Sequence, residues 1–274
     1  MSDTGPMLAR IAAALEAMVP GVRGSTDWLA APAYVWDGSA RAVDKISAPP
    51  LGLLKGIDAQ KERVFANVTR LAAGHAAHDM LLWGARGMGK SALLRAAVMA
   101  AQVDQPGALA LVQIAPDALG SLSALFGTLG QIERRFLVFI DDLGFEDGDS
   151  TGPRALRSWL EGGVEARPDN LRLAVTSNRR AIVPRHLSEQ DDPVNPRDAV
   201  DDQLALADRF GLALGFHACS QDDYLAIVAG YAAAHRLDWS EADALEWSKR
   251  RGARSGRVAW QFVTELAATA GRPL

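Results

Sequence analysis

Short apolar runs alternate along the chain with segments whose apolar positions recur every three or four residues. The first run with clear boundaries is Met80-Leu-Leu-Trp83, and a helical pattern follows it from Lys90 to about Gln102. The alternation then repeats: strand Leu109 to Ile114, helix about Asp117 to Arg134, strand Phe136 to Ile140, helix about Pro153 to Val164, strand Leu171 to Thr176. A helix running to Arg209 and a strand through Leu212 to Phe216 complete the series. Apolar runs of this length, separated by helices, predict an α/β fold with a parallel sheet covered by helices on both faces. From Ser220 onward the strand pattern stops. Three helical stretches, about Gln221 to His235, Ser240 to Arg251 and Ser255 to Ala270, predict a small helical appendage.

Upstream of the alternating region, Asp58 is placed to cap a helix that carries Val64, Val68 and Leu71 on one face. Before that come an expected helix over Met7 to Met18 and an aromatic, Pro-bearing stretch with Trp28, Pro32, Tyr34 and Trp36, whose role the pattern leaves open. Three units are therefore expected: an extension over 1–48, a core over 49–218 and a helical unit over 219–274. Arg179 to about Pro196 reads as a loop with three prolines and the acidic pair Asp191-Asp192, and a loop so long inside a compact domain is as a rule functional or mobile.

Composition narrows the classes. The chain has 274 residues, 49% hydrophobic and 23% charged, which suits one large globular domain or a core with an appendage. The net charge of -4 gives no global positive field to hold nucleic acid or anionic lipid. The basic stretch Lys249-Arg250-Arg251 with Arg254 reads as a solvated helix face, so nucleic acid is a disfavoured partner. Cys219 stands alone and cannot form an internal disulfide, which points to a reducing, cytoplasmic setting. No run reaches the roughly 18 apolar residues needed to cross a bilayer, so a soluble protein with no membrane partner is expected.

The chemistry concentrates after Trp83. Gly84-Ala85-Arg86-Gly87-Met88-Gly89-Lys90-Ser91 matches the pattern G-x-x-x-x-G-K-[ST], with a strand before it and the helix from Lys90 after it, and Ala92 joins these residues as a nucleotide-binding candidate. Glycines let such a loop wrap phosphate oxygens, and its N–H groups and the helix N-terminus offer positive ends. Lys90 would reach the β and γ phosphates and Ser91 would ligate magnesium. Phe136 to Asp142 is an apolar strand ending in two carboxylates: Asp141 is the candidate magnesium residue, and Asp142 the candidate for orienting or deprotonating water. A strand ending in Asp is also an ordinary way to enter a turn. Asn178, after Leu173 to Ser177, could hold the attacking water or simply cap; Arg209 could neutralise transition-state charge or pair with Asp208; Arg257 could reach the nucleotide or face solvent.

The series GARGMGKS, FLVFIDD, AVTSN, DRFG and RSGRV resembles the AAA+ ATPases in order and spacing. Within that superfamily the chain is most similar to a bacterial ATP-binding family described only as a domain of unknown function, through LLWGARGMGKS, FIDDLGFE, LEGGVEARPDN, TSNRR, DRFGLALGF and RSGRVAWQF. The resemblance covers roughly Pro49 to the C-terminus. It implies a P-loop core with a C-terminal helical lid and binding of ATP with Mg2+. It makes Lys90 and Ser91 the Walker A pair, Asp141 the Walker B residue, Asn178 the sensor 1 position, Arg209 an arginine finger acting in trans within a homo-oligomer, and Arg257 the sensor 2 residue of the lid. Gly56 and Ile57 match the segment that borders the adenine. One departure stands out: Asp142 occupies a place where most members have Glu, and Glu146 is the other carboxylate nearby. The expected activity is slow ATP hydrolysis coupled to assembly or to remodelling of an unidentified protein partner. The alternatives are a binding switch without turnover and a small-molecule phosphotransferase.

Overall fold

A computed structural model describes residues 26–143, 160, 167–178 and 209–274. The helix expected over Met7 to Met18, the one over Pro153 to Val164 apart from Leu160, the loop from Arg179, the helix leading to Arg209, and Glu146 lie outside the described residues. Seven strands form one sheet: β1 (Ala33–Trp36), β2 (Ala40–Val43), β3 (Met80–Gly84), β4 (Leu109–Ile114), β5 (Arg135–Ile140), β6 (Leu171–Ser177) and β7 (Leu212–Phe216). Their order is β2-β1-β4-β5-β6-β3-β7, and all neighbours are parallel except the β1–β2 hairpin. The helices are α1 (Asp58–Ala72), α2 (Lys90–Asp104), α3 (Leu122–Leu129), α4 (Gln221–His235), α5 (Glu241–Arg250) and α6 (Gly256–Thr269). No described helix is long and apolar enough to cross a membrane.

Successive side chains on a strand point to opposite faces, and β5 shows how this splits the core in two. Leu137 and Phe139 pack with Val64 and Val68 of α1 and Leu93 of α2, whereas Phe136, Val138 and Ile140 pack with Leu125 and Phe126 of α3. Burial on both faces explains why these strands read as unbroken apolar runs. The edge strand β7 alternates instead, with Leu212, Leu214 and Phe216 buried and Ala213 exposed. The α4–α6 unit joins the first of the two cores, since Tyr224, Ile227 and Phe262 share it with Ile57 and Phe216.

Three expectations change. The boundary expected at residue 48 runs behind two strands of the sheet itself: β1 pairs in parallel with β4, Tyr34 with Val112, and β2 closes that edge. The aromatic stretch was opaque because its rings fill the second core, where Trp28 lies 4.7 Å from Tyr34 and meets Phe136 edge-on at 5.9 Å. Burying such a ring is worth roughly 2–3 kcal/mol, enough to draw four-residue strands onto the sheet. The helix expected over Asp117 to Arg134 is a 3-10 turn (Pro116–Ser121) followed by α3, which stops at Gly130 against Pro168. Asp58 is the first helical residue rather than the cap; its carboxylate accepts from Lys61 at 2.6 Å and lies at the positive end of the helix.

Arg134 ties the early segment to the sheet. Its guanidinium, 7% exposed, donates to the carbonyls of Trp28 and Ala31 at 2.8 Å each and of Leu109 at 3.2 Å. Replacing it leaves those carbonyls without this donor. Arg134→Met is expected to cost about 3 kcal/mol, seen as a lower urea midpoint at unchanged m. An unchanged midpoint would show that the rings and the β1–β4 pairing hold the segment without Arg134.

Candidate functional site

β3 ends at Gly84, and the chain turns through Gly87 and Gly89 into α2, with all three glycines at left-handed φ of 118°, 79° and 87°. The turn must also pass close to its neighbours. A Cβ at Gly84 would stand 2.2 Å from the carbonyl oxygen of Phe216, because Ala85 N–H donates to that oxygen at 2.8 Å. A Cβ at Gly87 would stand 2.9 Å from Ser255 Oγ. Ser255 caps α6 by accepting from Val258 N–H at 3.2 Å, and Arg257 N–H donates to the Gly87 carbonyl at 3.3 Å. The helical unit thus seats the start of α6 directly on the loop.

Lys90 opens α2 and is 5% exposed. Its ammonium donates to the carbonyls of Gly84 and Ala85 at 2.9 Å each and to Asn178 Oδ1 at 3.0 Å. Burial pushes its pKa below the ordinary lysine value, and the charges of Asp142 and Asp141 oppose that shift. Beside it Ser91 Oγ donates to Asp141 Oδ1 at 2.6 Å, and Thr176 Oγ1 donates to the same oxygen at 2.7 Å. Thr176 Oγ1 also accepts from Asp142 N–H at 2.8 Å, so one hydroxyl fixes the positions of both carboxylate-bearing residues. Asp142 has a left-handed φ of 52°, which turns its carboxylate to accept from Asn178 Nδ2.

These groups line a cavity of about 630 Å3. One group of lining residues is Arg86 to Ala92 of the loop and helix start, with Asp141, Asp142, Thr176 and Asn178; a second, apolar group includes Leu53, Leu54, Ile57, Ile227, Tyr231 and Trp260, of which Leu54 and Ile57 lie beside Gly89. Tyr231 and Trp260 meet edge-on at 4.9 Å, and His235 adds an edge contact to Trp260 at 5.8 Å. Backbone amides and the Lys90 ammonium, beside an apolar lining with aromatic rings, suit a ligand with an anionic tail and a flat ring system. Ser91 and Asp141 offer hard oxygens side by side. That donor set suits magnesium, which keeps water and phosphate among its ligands, and no cluster of three His, Cys, Asp or Glu competes with it among the described residues.

Most residues expected at the site line this cavity, including Ile57 and Arg257. Gly84 and Ala85 form the floor behind the loop, packed on Phe216 rather than on the cavity. Gly56 is turned away: at φ 74° it abuts Asp223, and a Cβ there would lie 3.0 Å from that side chain. Arg209 stands three residues before β7, whose first residue pairs with Met80, so it sits at the far end of β3 from the loop. Sequence reasoning missed Thr176 as the joint between the two aspartates, Arg95 on the cavity wall, and the aromatic lining. The signal for the last was present: Ile227, Tyr231 and His235 recur every four residues on α4.

The family described as "Protein of unknown function (DUF815)" matches residues 29–270. No curated protein matches the chain. Among solved structures, the RuvB Holliday junction branch migration motor of Thermotoga maritima is similar at 16% identity and TM-score 0.53, covering 81% of this chain and 66% of that one. The ORC1 protein of Aeropyrum pernix, solved in complex with DNA, aligns at 15% identity and TM-score 0.56 over 82% and 65%. The FIGL-1 AAA domain, solved in complex with ADP, aligns at 17% identity and TM-score 0.50 over 81% and 74%. The chain spans about two thirds of the length of the first two. These likenesses show the fold, and it is the expected P-loop sheet of the AAA+ ATPases.

The close approach of Gly84 to Phe216 separates two costs of adding a methyl group. Gly107 has a similar φ of 77° but open space around it. Gly107→Ala is expected to cost about 1 kcal/mol in thermal unfolding, and Gly84→Ala about 3 kcal/mol or more, since backbone meets backbone there. Equal losses would contradict the packing described.

Proposed function

We propose, for a chain that belongs to the DUF815 family and carries the AAA+ fold, that it binds ATP with magnesium and hydrolyses it slowly. The observation that carries this reading is the convergence of Lys90, the Ser91–Asp141 pair and the start of α2 on a cavity that also has an apolar, aromatic lining. The polyphosphate lies on the loop, with Lys90 neutralising its β and γ phosphates and the ring system against Ile57, Ile227 and Tyr231. Ser91 and Asp141 are the residues that hold magnesium, which supplies charge neutralisation at the phosphates when bound.

The remaining chemistry falls to Asp142 and Asn178. A water placed between them gives up its proton to the Asp142 carboxylate, while the Asn178 amide keeps that carboxylate oriented. Aspartate is one methylene shorter than the glutamate usual at this place, which makes for slow turnover. Arg257, on the first turn of α6, answers to the phosphates from the lid. Arg209 lies too far along β3 to serve its own cavity, and in this reading it completes the site of a second copy of the chain, so that Mg-ATP promotes a homo-oligomer. A switch that binds ATP without turnover is the second reading, favoured by the same short and exposed carboxylate.

Phosphate release under single-turnover conditions decides between them. Asp142→Asn is expected to slow release by about a hundredfold or more while ATP affinity holds. Release that ignores the substitution removes Asp142 from the mechanism, and a wild-type protein that binds ATP but releases no phosphate is the switch.

A further inference from the structure

We propose that Arg95 is a further cation of this nucleotide site, beside Lys90 and Arg257, and that it engages the phosphate nearest the sugar. The proposal rests on the nucleotide reading and concerns a residue outside the loop motif. Arg95 lies on α2 one turn beyond Ser91 and lines the cavity. Its Nε atom is buried and has no hydrogen-bond partner. No hydrogen bond or ion pair involving any other atom of its side chain occurs among the described residues. The residue as a whole is only partly buried.

A guanidinium is always charged, and burying part of it without a partner is unfavourable unless an anion comes to it. Helix geometry says where that anion is. At about 100° per residue, Arg95 leaves the helix roughly 40° from Ser91 on the side of Ala92, and about 140° from Lys90. Long side chains on a helix lean back over the preceding turn, which places the guanidinium over Ser91 and Ala92. Lys90 is directed the other way, beneath the loop toward Asn178. The two side chains therefore leave α2 on different sides instead of sharing one place in the cavity. With Lys90 answering to the β and γ phosphates, Arg95 answers to the phosphate that the triphosphate and the diphosphate have in common with the monophosphate.

The proposal separates this side chain from a merely structural arginine by two readouts. ATP, ADP and adenosine are titrated by calorimetry into wild type, Arg95→Met and Arg95→Lys, and the nucleotide-free proteins are unfolded in urea. In Arg95→Met the Kd for ATP and for ADP rises about tenfold in equal measure, adenosine binding does not change, and Arg95→Lys recovers part of the loss. The nucleotide-free Met variant unfolds at the same or a higher urea concentration, because a buried N–H without a partner has gone. Unchanged affinities, a loss confined to ATP, or a nucleotide-free variant that unfolds earlier overturns the proposal. A wild-type protein that takes up no ATP sinks the nucleotide reading along with it, whereas binding indifferent to position 95 sinks this proposal alone.

Discussion

The site is organised around one buried ammonium. Lys90 is met inside the protein by three oxygens, two carbonyls of the loop and the side-chain oxygen of Asn178 at the end of β6, and the charges of Asp142 and Asp141 add to their support. Turning the carbonyls of Gly84 and Ala85 inward to the lysine has a consequence for the rest of the loop. The first N–H groups of α2, which have no partner within the helix, remain available on the cavity side. A single cation thus fixes the loop's conformation and its polarity, and it joins β3 to β6 at the end of the sheet where both aspartates stand.

That arrangement reaches outward in two directions. Toward β5, Thr176 sets Asp141 and Asp142 against each other with one hydroxyl, so the carboxylate beside Ser91 and the carboxylate beside Asn178 move as a unit with β6. Toward the helical unit, Ser255 and Arg257 sit on Gly87, which only glycine permits at that distance. The loop is therefore a shared boundary between sheet and lid. The apolar lining of the cavity comes from both sides of it, Leu54 and Ile57 from the core segment and Tyr231 and Trp260 from the lid helices.

Periodicity revealed the parts whose residues repeat a local rule. Met80 to Trp83, Leu109 to Ile114 and Leu171 to Thr176 are mostly apolar and largely buried on both faces, and each forms a strand of the sheet interior within one residue of the expected ends. The three lid helices begin at Ser220, Ser240 and Ser255, each serine capping its helix as helix starts prefer. The phosphate loop was visible because its glycines answer a backbone need that few other residues can meet. What stayed hidden depends on partners distant in sequence. Tyr34 and Trp36 become a strand only because β4 lies beside them and Arg134 holds the segment ahead of them. Thr176 joins two aspartates 35 and 34 positions away, and no local pattern reports such a joint.

The central claim is that a triphosphate lies on the loop from Gly84 to Ser91 with Lys90 as its cation. Calorimetric titration of ATP with magnesium into the folded wild-type protein and into Lys90→Met tests it most directly. The account predicts saturable binding by the wild type that weakens by about a hundredfold in the variant, the scale of losing a buried charge-assisted contact. No heat of binding in the wild type, or equal binding by both proteins, would contradict it.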